Sequence, residues 1–320
     1  MKLSELGERE IIKIFQKNLD KCEKMTVDLG DDASAYSLDE DHCLIVSTDI
    51  VSQREHIPRE MSPKQIGMYV ANINLSDLAA MGARPIGMTF SFGLPSDLKE
   101  GFIIELAKGI NQACREHGIC VLGGDTKEME EIVISGTALG TARKNHILTR
   151  SGAKVGDIIC VTGNIGSAAA GFYCITNNIK IEKFIKAALE PKARIEEGMV
   201  LAEFASSCID ISDGLAFSLH EIARASGVGF VVYEDKIPHD KEIKEVSDKS
   251  NVSEREILFH KGGDYELLFT APPSKIDNLE RLATKATIIG KITDKGTKIV
   301  EANGKECELE PHGYESFKRY

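Results

Sequence analysis

Asn72-Ile73-Asn74-Leu75-Ser76-Asp77-Leu78-Ala79-Ala80-Met81-Gly82-Ala83-Arg84-Pro85 puts a carboxylate where a helix should bury an apolar side chain. Just upstream, Ser62-Pro63-Lys64-Gln65 reads as a helix start, with Ser62 as N-cap, Pro63 at the first helical position and Gln65 completing a capping box. From there Ile66, Val70 and Ile73 mark a buried stripe at spacings of four and three, and four residues on that stripe reaches Asp77. The spacing turns Asp77 inward, and Gly82 and Pro85 end the helix. An ionised carboxylate taken out of water must be paired or bound to a cation. For Asp77 alone, a cap on a neighbouring turn or an arginine partner would answer as well as a metal.

Composition narrows the setting. With 320 residues, 42% of them hydrophobic, the chain can bury an ample core and is long enough for two domains. A net charge of -11 argues against a diffuse electrostatic grip on nucleic acid or an anionic membrane, so a phosphorylated ligand would need metal ions as intermediaries. The eight cysteines are scattered, without C-x-x-C pairs or histidines at zinc spacing, which reads as reduced thiols in the cytoplasm. Cys160, inside an apolar run, reads as a small core residue. No hydrophobic targeting core opens the sequence, and no apolar run approaches the roughly 20 residues of a membrane helix.

Outward from the central helix, further carboxylates recur at turns and strand ends. Residues 4–19 carry Leu6, Ile11, Ile12, Phe15 and Leu19 at helical spacing and predict one amphipathic helix. A glycine turn, Asp28-Leu29-Gly30-Asp31-Asp32-Ala33, precedes a strand over 44–47 that ends in Ser47-Thr48-Asp49, three hard oxygen donors suited to Mg²⁺. After the central helix, the pattern predicts a strand over 86–94, a helix over 97–117, and a short strand over 119–122 running into Gly123-Gly124-Asp125-Thr126. The glycines there let backbone approach a ligand. A β-rich segment follows over 132–141.

A boundary falls near residue 147, before the polar turn Arg150 to Asp157, dividing the chain into residues 1–147 and a second α/β domain, 148–320. In the second part the pattern predicts strands over 158–162, 227–233, 264–271 and 286–292. A small-residue helix starts over 163–171, and helices follow over 193–206, 215–225 and 274–284. Cys208-Ile209-Asp210-Ile211-Ser212-Asp213-Gly214 again gathers oxygen donors at a strand end. Asn303-Gly304 signals a type I′ hairpin. The chain lacks G-x-x-x-x-G-K-[ST], the protein-kinase set, a complete G-x-G-x-x-G, H-E-x-x-H and G-x-S-x-G. What remains is a set of strand-end carboxylates that fits several Mg²⁺ ions neutralising a polyphosphate.

In this order, Gly30-Asp31-Asp32-Ala33, Ser47-Thr48-Asp49, Asn74 to Pro85, Gly123-Gly124-Asp125-Thr126, Arg150 to Asp157, Asp210-Ile211-Ser212-Asp213-Gly214-Leu215 and Asp264-Tyr265-Glu266-Leu267-Leu268-Phe269 resemble the thiamine-monophosphate kinase family. The likeness spans nearly the whole chain. That family shares a superfamily with aminoimidazole ribonucleotide synthetase, selenophosphate synthetase and a hydrogenase maturation dehydratase. The resemblance implies a two-domain α/β (α+β) fold like that synthetase, with N-terminal domains pairing into a β-barrel across a homodimer. It also implies ATP-dependent conversion of thiamine monophosphate to thiamine diphosphate with Mg²⁺. Carried over by position, Asp32, Ser47, Thr48, Asp49, Asp77, Asp125, Asp210 and Asp213 would ligate metal, with Asp49, Asp77, Asp125 and Asp213 central to catalysis. Gly124, Asp125, Arg150 and Ser212 would meet ATP; His56, the position of Gly263 and an aromatic, Tyr314 or Phe317, would meet the substrate. Gly263 stands where the family usually has glutamate. A ligase of the superfamily and a non-catalytic nucleotide-binding regulator are the alternatives. The absence of a terminal cysteine and of a glycine-rich cysteine loop speaks against the dehydratase and the selenium enzyme.

Overall fold

A computed structural model describes residues 2–317. The first half contains α1 (Leu3–Leu6), α2 (Glu8–Asn18), β1 (Met25–Val27), β2 (Ser34–Ser37), β3 (His42–Ser52), α3 (Pro63–Ala80), β4 (Arg84–Leu94), α4 (Glu100–Glu116), β5 (Cys120–Glu128) and β6 (Val133–Arg143). Its six strands form an open sheet in the order β1-β2-β3-β6-β4-β5, antiparallel except for the β4/β5 pair. Among the described residues they do not close into a barrel. The second half contains β7 (Ile158–Thr162), α5 (Ser167–Thr176), α6 (Glu182–Leu189), α7 (Ile195–Leu201), β8 (Ser207–Asp210), α8 (Leu215–Ser226), β9 (Gly229–Tyr233), α9 (Ile243–Ser250), β10 (Leu267–Ala271), β11 (Ala286–Thr293), β12 (Thr297–Val300) and β13 (Glu306–Glu308). Its seven strands run β13-β12-β9-β11-β7-β10-β8, antiparallel except for β12 beside β9.

The expected capping box starts α3: Ser62 Oγ accepts the Gln65 N–H at 3.3 Å, and Gln65 Oε1 accepts the Ser62 N–H at 2.9 Å. The helix is buried far more widely than a single stripe predicts. Ile66, Tyr69, Ala71, Asn72, Asn74, Leu75, Ser76 and Leu78 are all enclosed, because α3 lies between the first sheet and the α7/β8 edge of the second half. Its neighbours come close enough that a Cβ at Gly198 of α7 would lie 2.0 Å from the Ala79 carbonyl oxygen. One apolar core therefore runs from Ile45, Val70 and Phe90 through Leu78 to Leu201, Cys208 and Phe269, and a second fills the far side of the second sheet around Phe230, Phe259 and Leu268.

Several elements differ from expectation. The N-terminal helix breaks at Gly7, whose φ of 75° belongs to the left-handed region, and α2 buries no residue. Gly123 to Thr126 lie within β5 rather than in a turn beyond it, because β4 continues alongside and pairs with them. Residues 182–189 form a helix where none is predicted, residues 273–281 are 3₁₀ rather than α, and 264–266 stay outside β10. In the β12/β13 hairpin only Gly304 takes positive φ, at 82°, and its N–H bonds the Glu301 carbonyl at 2.8 Å. The connection is thus a four-residue turn with a left-handed glycine, not type I′, which needs positive φ at both central positions. All eight cysteines are free, and burial pushes the Cys160 thiol up to about 12. Among the described residues, no helix is long and apolar enough to cross a membrane.

Candidate active site at the seam between the sheets

The last turn of α3 delivers Asp77 to a seam that four other segments also reach: the turn before β2 (Asp32), the middle of β3 (Ser47, Asp49), the end of β8 (Asp210) and the turn into α8 (Asp213). Oxygens of Asp32, Asp77 and Asp210 lie within 4.8 Å of one another. Each carboxylate is oriented by a neutral donor or by Arg150. Ser47 Oγ donates to Asp77 Oδ2, Ser76 Oγ donates to Asp210 Oδ2 at 2.6 Å, and Arg150 donates to Asp32 Oδ1 from Nη2 at 2.6 Å and from Nε at 3.2 Å. Asn74 accepts the Asp49 N–H at 2.8 Å, holding β3 on the helix.

These groups are short of positive charge. The Asp32 side chain is 2% exposed, and its Oδ2 is buried with no hydrogen-bond partner. Burial raises the carboxyls of Asp49 to about 6, Asp213 to about 7 and Asp210 to about 8, and the neighbouring negative charges add to the effect. Asp77 is raised well above the carboxylate range, first by burial and then by Asp49, Asp210 and Asp32. The arginine partner that would make Asp77 a structural ion pair is not there among the described residues; Arg150 goes to Asp32. An orphaned carboxylate oxygen beside two more carboxylates and a hydroxyl is a donor set suited to a hard divalent cation.

A pH dependence follows. A carboxyl whose folded pKa exceeds its unfolded value binds more protons in the native state, so its contribution to stability falls as pH rises between the two values. For Asp210 that window runs from 3.8 to about 8. Metal-free protein should therefore lose several degrees of melting temperature between pH 5 and pH 8, and Mg²⁺ should flatten the trend. Melting curves flat across that range without metal would contradict it.

The seam does not collect every residue the sequence suggests. Thr48 points to the opposite face of the sheet, where its hydroxyl donates to the Gly136 carbonyl at 2.8 Å; strand alternation separates it from Ser47 and Asp49. Asp125, 65% exposed on edge strand β5, lies 3.5 Å from Lys127 and outside the cluster. Gly124 belongs to the same strand, packed so close to β4 that a Cβ would meet the Phe90 carbonyl oxygen at 2.3 Å. Arg150 spans both halves, reaching Glu221 at 3.5 Å as well as Asp32. His56, in the loop after β3, is kept neutral by burial; its Nδ1 accepts the Ser52 N–H at 3.2 Å, which leaves the proton on Nε2. The Ser212 carbonyl accepts the Gly263 N–H at 2.8 Å. Gly263 has φ 97°, and a Cβ there would meet the Phe172 ring at 3.1 Å, so glutamate would be strained at this position. Tyr314 is tied to the seam by its backbone N–H, which donates to the Asp213 carbonyl at 3.0 Å, and the residue, like Phe317, is about half-exposed.

Sequence reasoning missed Asn74, Ser76 and Asp31, the last of which accepts the Arg150 N–H at 3.2 Å. The readable signal was polar residues on successive faces of a helix with almost no charged surface. It also gave no duty to Asp264 and Glu266. Asp264 accepts the N–H groups of Gly166 and Ala168, capping α5 from a distance, and Glu266 pairs with Arg194.

Comparison with known proteins places the family. Residues 30–142 match the model for AIR synthase related protein, N-terminal domain, and residues 154–303 match its C-terminal domain. Fold and seam thus define a two-domain protein of the AIR-synthase-related class. A thiamine-monophosphate kinase of Pyrococcus horikoshii is 37% identical over 99% of this chain and 98% of its own. The chain belongs to the thiamine-monophosphate kinase family. Among solved structures, AaThiL complexed with AMPPCP and TMP is similar at a TM-score of 0.87 and 28% identity, over 99% of each chain. Thiamine monophosphate kinase from Aquifex aeolicus gives 0.81 at 28% identity, over 96% of this chain and 100% of that one.

Proposed function

We propose that the chain phosphorylates thiamine monophosphate with ATP, giving thiamine diphosphate and ADP, and that the seam holds Mg²⁺ and the reacting phosphates. The observation that carries the reading is the close-set triad of Asp32, Asp77 and Asp210, with one buried oxygen unpartnered, in a chain of this family. The AaThiL structure, which contains AMPPCP and TMP, supports ATP and thiamine monophosphate as the ligands.

The acceptor's nucleophile is a phosphate oxygen already largely deprotonated at neutral pH, so no general base is demanded. The protein's task is to hold two anions in line. Mg²⁺ held by Asp32, Ser47, Asp49, Asp77, Asp210 and Asp213 would offset the phosphate charge and the charge developing on the transferred group. Ser47, Ser76 and Arg150 each fix one oxygen of a carboxylate, which orients the other. Arg150 has already committed N–H groups to Asp32, so any contact with ATP uses the remainder of its guanidinium. Neutral His56 can offer its Nε2–H to the acceptor, with Tyr314 or Phe317 and the Gly263 backbone lining the same side. Ser212 and Gly124 are assigned to the nucleotide.

Thr48 and Asp125 complete the ligand set only if the first sheet meets a second copy. Two features support a homodimer. Every residue of β5 is exposed, including Val121 and Leu122, on an unpaired edge. The sheet face opposite α3 also leaves Ile50 and Ile86 uncovered. Closing such edges against a copy would yield the barrel and bring Gly124 and Asp125 toward a site. Sedimentation at micromolar concentration should show twice 35.0 kDa; a lone 35.0 kDa species would remove the dimer. The domain division at residue 147, a nucleotide-binding and dimerising unit followed by an α/β unit, and a cytoplasmic location belong to the same reading.

The deciding assay is ATP consumption with thiamine monophosphate against aminoimidazole precursors, with product identified by mass. Thiamine diphosphate with equimolar ADP is the expected result. ATP use only with the aminoimidazole precursor would make the chain a ligase, and no turnover with either would leave a nucleotide-binding regulator.

A further inference from the structure

Helix α2 is loosely packed: none of its residues is buried, and Ile12, Ile14 and Phe15 remain exposed. Its start is nevertheless fastened to the far end of the chain. Glu8 Oε2 accepts the Ser316 N–H at 3.2 Å, and the Arg9 guanidinium carbon lies 4.1 Å from the centre of the Phe217 ring. Both contacts fall beside the seam, since Phe217 sits in the first turn of α8 and Tyr314 hydrogen-bonds the Asp213 carbonyl. A Cβ at Gly313 would lie 2.6 Å from that same carbonyl oxygen and 2.7 Å from Phe217 Cβ, so the tail runs flush against the Asp213 turn. Through the Ser316 contact Glu8 stands beside the segment whose Tyr314 N–H meets the Asp213 carbonyl. Farther along α2, Gln16 Nε2 donates to the Leu29 carbonyl at 2.7 Å, beside the acidic turn. The helix thus crosses the site from the Asp28–Asp32 turn to the tail.

We infer that Glu8 is a positioning residue: by holding the Ser316 N–H it keeps residues 313–316, and Tyr314 with them, across the acceptor side of the site. What the contact requires of residue 8 is an acceptor oxygen within reach of the Ser316 N–H, which an amide oxygen supplies as well as a carboxylate. The acceptor's identity rests on the phosphotransfer reading above, whereas the fastening does not.

Two variants and two measurements test it. Glu8→Ala removes the acceptor oxygen, and Glu8→Gln keeps one. In Glu8→Ala, amide exchange at Ser316 should speed up roughly tenfold, and KM for thiamine monophosphate should rise roughly tenfold, with KM for ATP and kcat within about twofold. Glu8→Gln should stay near wild type in both measurements. A merely structural contact would leave the ratio of the two KM values unmoved. Unchanged exchange in Glu8→Ala overturns the inference. So does faster exchange without a change in KM, or a Glu8→Gln as impaired as Glu8→Ala, which would mean that the charge acts directly. If the wild type makes no thiamine diphosphate, the phosphotransfer reading falls, and the exchange comparison alone still decides the fastening.

Discussion

Asp77→Asn should cost roughly 10³-fold or more in turnover while leaving the metal-free protein at least as stable as wild type. The two halves of that result have one cause. Among the described residues Asp77 has no cationic side chain beside it; its surroundings are Asp49, Asp210, Asp32 and the Ser47 hydroxyl. Neutralising it relieves like-charge repulsion in the apo state and keeps an oxygen for Ser47, so metal-free melting should stay level or rise. The same change removes charge that would hold Mg²⁺, so the Mg²⁺ requirement should increase. Melting curves without Mg²⁺ and steady-state rates with it, on the same two proteins, check both halves. A variant that is clearly less stable yet turns over at the wild-type rate would take Asp77 out of the active site.

Arg194→Met should show the opposite profile. Glu266 is 6% exposed and receives Arg194 Nε at 2.8 Å, Nη2 at 2.5 Å and the Thr162 hydroxyl at 2.6 Å. Thr162 in turn accepts the Leu267 N–H at 2.9 Å, so the pair clamps β7 to β10. Removing the arginine strands a buried carboxylate, for which a loss of about 3–5 kcal/mol is expected. In a protein of this size the melting temperature should drop on the order of 10 °C. Folded molecules should keep kcat within about twofold, because Arg194 and Glu266 are committed to each other and to Thr162 and Thr284, and among the described residues neither bonds a carboxylate of the seam. Replacing both partners, as Arg194→Met with Glu266→Leu, should recover much of the loss, since the desolvated charge leaves with its counter-ion. A single variant melting within a degree or two of wild type would show that Glu266 finds another partner or water.

The contrast between these residues shows what the sequence made legible. Asp77 could be read because helical spacing is a local property, and one carboxylate on an apolar stripe stands out. The acidic turns at Asp32, Asp210 and Asp213 were visible as clusters of hard donors, and the structure gathers them at one seam. A run of three donors looks contiguous in sequence, whereas a strand sends alternate side chains to opposite faces, so the Thr48 side chain stands apart from its neighbours. The wide burial of α3 depends on a second sheet contributed more than a hundred residues later, which no local period encodes. Asp264 and Glu266 looked like part of a functional motif, yet their partners, the start of α5 and Arg194, lie far away in sequence and give them structural duties.

The enclosure of α3 also limits how the family's sequences can change length. Ser76 and Asp77 face different partners, Asp210 from the second half and Ser47 from the first, on adjacent positions of one helix. One residue inserted or deleted within residues 63–75 would turn everything after it by about 100° and shift it by about 1.5 Å, moving both contacts out of reach together. Neither side could adjust, because both are walled by packed strands and helices. Insertions and deletions should therefore be absent from this helix and collect in exposed segments such as the β12/β13 turn, leaving the stretch from Ser62 to Gly82 as a fixed ruler within a chain whose other lengths can drift.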